Sequence, residues 1–484
     1  MAKGEKPARG AVLLLLGLLL VLGPGSAWAQ ETLRVGLGTA PGGQEVKVCR
    51  GSFEIVDLSA GALLAVAAPG SVWRVSVDPA GLKLSSGSGP ELEPVAGPIE
   101  FRPVSSGAEV PLFSVSERRY RGSLRLEKVA PGDVLAVNLV DLEEYLSGVV
   151  GEEMGYGAPV EALKAQAVAS RSYALARKAS QATRPYDVGT DQSTQVYAGY
   201  EAETKPGFDR VKAAVEATRG EVMYYRGQLV EAYFHSNAGG HTENSENVWQ
   251  RAIPYLRGVP SPWDSFALRQ SADPSAWPAN TYQWEKIITR DELSTRVANW
   301  NVARAAQPEQ QIRVGEITVI SPVRLGEDGR PTVSGRAARV LLVGREGQQE
   351  IRGETARSLL GLRSTLFELH TDARVFLAAV GAGTEQREEG ESLWAAVDGG
   401  VAPVNPGSST YWVLGAGGTR REVPKVFTRL EFSGRGYGHG VGMSQWGARG
   451  MAAEGYGYRD ILEYYYNQNR KDGSLTVAPY RPAG

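Results

Sequence analysis

Between residues 142 and 178 the chain reads LEEYLSGVVGEEMGYGAPVEALKAQAVASRSYALARK, and its apolar positions fall into two helical periods. Leu142, Tyr145, Leu146 and Val149 recur at three- and four-residue spacing, which predicts a helix with one apolar face and with Glu143 and Glu144 turned outward. Val160, Leu163, Ala167 and Ala174 continue the period after Pro159, a residue suited to a first helical turn because it has no N–H to leave unbonded. Alanine dominates the packing side of this second helix, so another backbone can approach closely. Lys164 and Arg171 stand two turns apart and share a face. Between the two helices lies a short glycine-containing break that carries Glu152 and Glu153.

The period changes elsewhere. From Thr32 to about Phe113 the chain alternates in short runs (LRVGL, VKVC, FEIVD, ALLAVAA, SVWRVSV, GLKLSS, PIEFRPV) separated by Gly, Pro, Ser and Asp, the pattern of strands four to seven residues long. Two more strands joined at Pro131-Gly132 lead into the first helix. A third helix is expected over Asp209 to Thr218, ending at Gly220. A hairpin follows, whose second strand, LVEAYFHS, delivers His235. A helical segment can be drawn from Trp277 to Ala305. Strands follow at Glu316 to Ser321, Ala338 to Val343 and Gln349 to Arg352, then a short helix from Gly353 to Leu360. A last helix spans Arg459 to Asn467. The expected fold class is α+β: helices mixed with antiparallel strands in a main domain, preceded by a small mainly-β domain.

Charge and composition narrow the function. Residues 1–29 combine Lys3, Lys6 and Arg9, an apolar run from Ala11 to Leu22, and Ala27-Trp28-Ala29, the pattern of an export signal. The apolar run is shorter than the roughly 20 residues a spanning helix needs, so a membrane association requires this segment to be retained as an anchor. Removing it takes away three bases and one acid and moves the formal net charge from −2 to −4. A slightly acidic exported protein is poorly suited to hold polyanions, which argues against nucleic acid as partner. The single cysteine, Cys49, allows no internal disulfide and reads as a small buried residue in a strand.

Two further stretches concentrate chemistry. His235-Ser-Asn-Ala-Gly-Gly-His241-Thr-Glu243 places two of the four histidines six residues apart around a double glycine. Such a pair can bind one zinc with Glu243 or water completing the shell, or can hydrogen-bond its own loop as neutral imidazoles. No HEXXH pattern is present. Gly434-Arg-Gly-Tyr-Gly-His-Gly-Val-Gly442-Met-Ser-Gln-Trp-Gly-Ala448 has glycine at every second position through five repeats. If extended, one face is bare backbone and the other carries Arg435, Tyr437, His439 and Val441.

VVGEEM followed by PVEALKAQAVASRSYAL, together with the glycine-rich stretch, resembles the sporulation stage II protein D family, which includes the amidase enhancer LytB. The resemblance covers roughly residues 118–365 and 430–468. It implies a main domain over 118–370 and 429–470 interrupted by an insertion at 371–428, whose runs read as β, while the alternating pattern before the main domain reads as an accessory β domain at 30–115. It further implies a lytic transglycosylase acting on the glycan strands of peptidoglycan, with the catalytic glutamate, the one directly before Met, at Glu153. Glu152 is its rival. The family carries a Gln-x-Tyr element where this chain has Gln195 and Tyr197, which makes both candidate site residues, and it brings His235, Tyr437, His439, Ser444 and Gln445 forward as substrate contacts, with Arg363 or Ser364 also facing the site. Lys164 and Arg171 would orient a substrate carboxylate, hold the glutamate's loop, or form a surface salt link. Some relatives bind zinc near the His235–His241 motif with cysteine help, whereas here the position after Asn237 is Ala238. A transglycosylase needs no cofactor and only one carboxyl group, because the sugar's own 6-hydroxyl replaces water. Two other classes stay open at this point: a glycan-binding module that stimulates a cell-wall amidase, and a zinc hydrolase built on His235, His241 and Glu243.

Overall fold

The computed structural model describes residues 31–482, except 88–90, 105–108, 131 and, between 374 and 419, everything outside five short strands. The expected export signal lies outside the described residues. Among the described residues no helix is long and apolar enough to cross a membrane.

All seven of the N-terminal runs form strands, and they build two antiparallel sheets. In one, Thr32–Pro41 pairs with Asp133–Asp141, followed in order by Ser123–Ala130, Ile99–Val104, Ser52–Asp57 and Ala62–Ala67. The other runs Gly81–Ser86, Val72–Asp78, Gln44–Arg50, Leu112–Val115, Arg118–Tyr120. Val46, Phe53, Ile55, Val75, Leu84 and Phe101 all lie inside one core, as period-2 alternation requires. Hydrogen bonds cross the division drawn at residues 115–118: Leu124 pairs with Phe101, and Thr32 with Asp141. The β unit and the helices therefore share a sheet and a core, which also takes in Tyr145, Leu163 and Tyr465. Cys49 sits in the strand Gln44–Arg50 but is only half-buried. Its neighbours Val46 and Val48 fill the inward positions, so alternation turns it the other way.

The helices are α1 (Leu142–Ser147), α2 (Val150–Met154), α3 (Val160–Ser180), α4 (Phe208–Ala217), α5 (Ser245–Trp249), α6 (Arg290–Ala303), α7 (Gly353–Leu360), α8 (Gln445–Ala453) and α9 (Tyr458–Asn467). Helix α3 packs against α4, α8 and α9, its alanines allowing the close approach.

A second core lies between Trp284 and Phe432. It gathers Ile288, Leu293, Val340, Leu342, Leu359, Leu369 and Phe432 from α6, α7 and two three-stranded sheets. Here the helix expected over Trp277 to Ala305 is corrected. After a 3-10 turn at Ala279–Thr281 comes a strand, Gln283–Thr289, paired antiparallel with Arg429–Arg435, and the α-helix is Arg290–Ala303, opened by the Thr289 side-chain cap. Trp284 and Ile288 alternate inward, and Trp284 lies over Gly434, where a Cβ would stand 2.1 Å from its ring. The strands of residues 375–424 form three separate antiparallel hairpins, after which the chain rejoins the second core at Phe427.

Candidate active site

The short stretch between the two main helices is itself helical, contrary to the irregular break expected from its glycines. Asp141 caps α1 by accepting from the Glu143 and Glu144 N–H groups. After Gly148 the chain turns into α2, whose third and fourth residues are Glu152 and Glu153. Gly155 ends α2 with φ +84°, a conformation that favours glycine, and Pro159 caps α3 from outside rather than entering its first turn.

Glu153 lines a cleft of about 700 Å³. The Val196 N–H donates to its Oε1 at 2.8 Å, and the Gln445 side-chain amide donates to its Oε2 at 3.0 Å. Burial raises its pKa above the ordinary carboxylate value, the two hydrogen bonds pull it back down, and the neighbouring charge of Glu152 adds to the rise. Burial prevails because no basic group contributes. Glu152, the rival, lines the same cleft but takes a hydrogen bond from the Tyr156 hydroxyl at 2.8 Å.

Gln445 begins α8, and Ser444 caps that helix by accepting from the Gly447 N–H. Ser444 is fully buried; its hydroxyl donates to Asp264 Oδ1 at 2.5 Å and accepts from the Ala238 N–H. It is therefore a cap and a loop tie, and the expectation of a substrate contact is corrected. Asp264 also accepts from the Gly240 N–H, and burial pushes its carboxyl up to about 6.

Three other expected contacts, Arg171, Gln195 and Tyr197, are corrected by burial, and Lys164 by an ion pair. Arg171 is fully enclosed and makes a two-pronged pair with Glu143, at 2.8 and 2.6 Å, on a separate cleft of about 480 Å³. Glu143 is thus turned inward, because the guanidinium supplies its counter-charge. Lys164 pairs with Glu161 at 2.7 Å, away from the Glu153 cleft. Gln195 is buried, accepting from the Tyr145 hydroxyl, and Tyr197 is buried against Tyr145 with its hydroxyl on Asn138. The residue between them reaches the site instead, through the Val196 N–H. Ser364 is buried and donates to the Arg435 carbonyl, while Arg363 lies over the Tyr437 ring.

His235, Tyr437 and His439 do line the cleft. The strand Phe234–His235 pairs in parallel with Met443–Ser444, bringing the two motifs together. His235 donates from Nδ1 to the Val441 carbonyl, and the Val441 N–H donates to His439 Nδ1, so the backbone of one residue fixes both rings. Burial holds both imidazoles neutral: His235 falls well below its ordinary pKa, and His439 falls to about 3. The glycine-rich stretch is not extended through its length. Gly436, Gly438, Gly440 and Gly442 all have positive φ, and the strand stops at Arg435. Close packing requires glycine as well: a Cβ at Gly442 would meet the Tyr233 carbonyl at 2.1 Å.

His241 does not join His235. Its Nδ1 lies 2.6 Å from the Thr242 carbonyl, and Glu243 is taken by the Asn244 N–H, Asn247 and Ser334. No group of three or more His, Cys, Asp or Glu side chains placed to hold a metal ion occurs among the described residues. The donor set proposed for zinc is not assembled.

The opposite wall comes from residues the sequence did not single out. Glu354 and Arg357 of α7 pair with each other at 2.8 Å, and Trp277, Trp446 and Arg449 stand together. Trp249 is partly buried against the first core, with its ring centre 5.0 Å from that of His439. The helical period at Gly353 to Leu360 was the available signal for α7; nothing local marked Trp277.

The arrangement is an α+β scaffold with a raised-pKa carboxyl in an aromatic-lined groove. A profile described as stage II sporulation protein, SpoIID, matches residues 131–225. A protein of Brachyspira hyodysenteriae is 29% identical over 357 residues, covering 73% of each chain. Stage II sporulation protein D of Bacillus subtilis is 28% identical over 393 residues, 78% of this chain and 85% of that one. The amidase enhancer of Bacillus subtilis is 26% identical over 330 residues, 66% of this chain and 39% of the relative. The chain is thus similar to stage II sporulation protein D and to the amidase enhancer over about two thirds or more of its length, with the family profile matching within it.

Proposed function

We propose that this protein is an exported peptidoglycan lytic transglycosylase, with Glu153 acting first as acid and then as base. The observation that carries the reading is a carboxyl group in a glycan-sized cleft, held by two neutral donors with no cation contributing to its balance, so that burial keeps it protonated to higher pH. Glu153 gives its proton to the bridging oxygen as the bond from the muramic acid anomeric carbon breaks. The 6-hydroxyl of the same muramic acid then attacks that carbon, and its proton passes to the Glu153 carboxylate. The products are an N-acetylglucosamine 4-hydroxyl and a 1,6-anhydro ring, and no water is consumed. The Val196 and Gln445 donors stabilise the carboxylate halfway, which supports both roles of the one group. Tyr437, Trp249 and Trp277 supply flat faces for sugar rings.

A second reading rests on the likeness to the amidase enhancer: the cleft binds glycan without cutting it and the protein stimulates a cell-wall amidase. Digestion of purified glycan strands in ¹⁸O-labelled water separates the readings. Anhydro ends free of label are expected. Labelled reducing ends would mean hydrolysis, and bound but uncut strands would favour the enhancer.

A further inference from the structure

The cleft contains two arginines, and they differ. Arg357 is neutralised by Glu354 at 2.8 Å. Arg449, in α8, has no acid beside it: burial alone pulls its pKa down to about 10, with no carboxylate contributing. Its Nη1 donates to the Met154 carbonyl at 3.2 Å, its Nε is buried with no partner among the described residues, and its guanidinium lies 3.9 Å from the centre of the Trp446 ring. Trp446 in turn meets Trp277 edge-on, and Trp277 is 66% exposed. A partly desolvated cation fixed on an aromatic ring, with an exposed tryptophan alongside, suits a ligand that joins an anion to a flat ring face.

We propose that Arg449 and Trp277 form a subsite that reads a carboxylate-bearing sugar, the guanidinium taking the carboxylate and the indole stacking on the ring. The inference rests on the cleft being a glycan site, as argued above. Two sources offer this carboxylate: the lactyl group of muramic acid once its peptide is gone, and the acidic residues of an attached stem peptide. Arg449 lies beyond Met154 and does not enter the balance at Glu153, so it selects the substrate without lowering the acid's pKa.

The test is binding to Glu153→Gln protein, which holds strands without cutting. Probes are stripped strands, intact strands, carboxyl-reduced stripped strands and neutral N-acetylglucosamine oligomers. At least about a tenfold preference for a carboxylate-bearing probe over the neutral oligomer is expected. Tighter binding of stripped strands assigns the lactyl group; tighter binding of intact strands assigns the stem. Adding Arg449→Gln removes the preference and leaves the neutral oligomer unchanged, whereas Arg449→Lys keeps it. Carboxyl-reduced strands match the oligomer, a result that needs no change at Arg449. Preference that survives Arg449→Gln, or carboxyl reduction, overturns the subsite while leaving the cleft's function standing. Failure of every probe to bind overturns both.

Discussion

Glu143 and Glu153 lie ten residues apart in one motif and are both drawn into the protein, yet they have opposite fates. Glu143 meets Arg171 in a two-pronged pair and also accepts from the Gly220 N–H. Glu153 meets only a backbone N–H and a neutral amide. A carboxylate with a buried cation is a clamp, because its charge is balanced and its proton is of no use. A carboxylate held by neutral donors can exchange its proton at working pH. The difference separates the two clefts: one joins α1, α3 and α4, and the other holds the candidate acid.

The largest structural effect is expected from breaking the clamp. Arg171→Met leaves Glu143 buried without its counter-charge and should lower unfolding free energy by about 3–5 kcal/mol, read by denaturant titration. Adding Glu143→Gln should recover part of that loss. A single variant no less stable than the parent would make the pair a surface link.

A smaller effect comes from pH. His439, depressed to about 3 from 6.5, contributes stability above pH 6.5 that is lost as pH falls toward 3. Asp264, raised to about 6 from 3.8, contributes stability below pH 3.8 that is lost as pH rises through 6. The two oppose each other between about pH 4 and 6. Asp264→Asn should therefore lose stability more steeply on acidification than the parent, measured as melting temperature against pH. An unchanged slope would place Asp264's titration outside this window.

The smallest shift sharpens the catalytic side. Gln445→Leu removes a donor to the Glu153 carboxylate and should raise its pKa further, so the alkaline limb of kcat/KM moves to higher pH. Movement to lower pH would contradict the hydrogen bond's role.

Much of this was legible in the sequence, and the exceptions have physical reasons. Alternation located the N-terminal strands because each has one inward face. Glu153 and Gln445 were found through motifs, but Gln195 and Tyr197 were misplaced because the element contributes the N–H of Val196 and buries the side chains on either side. The role of Arg171 stayed open between substrate contact and salt link because its partner, Glu143, sits on another helix. The hydrogen bond of His241 to the Thr242 carbonyl was not legible because loop geometry, not spacing, sets it. Arg357, Trp277 and Arg449 were silent because neighbours distant in sequence bring them to the cleft.

The central claim is that Glu153 is the acid that cuts. Purified glycan strands should be digested in parallel by the native protein and by Glu153→Gln, with anhydro ends counted by mass spectrometry and binding measured on the same strands. The account predicts anhydro ends from the native protein, a loss of roughly 100- to 10,000-fold in the variant, and unchanged binding. Equal cleavage by both proteins would contradict it.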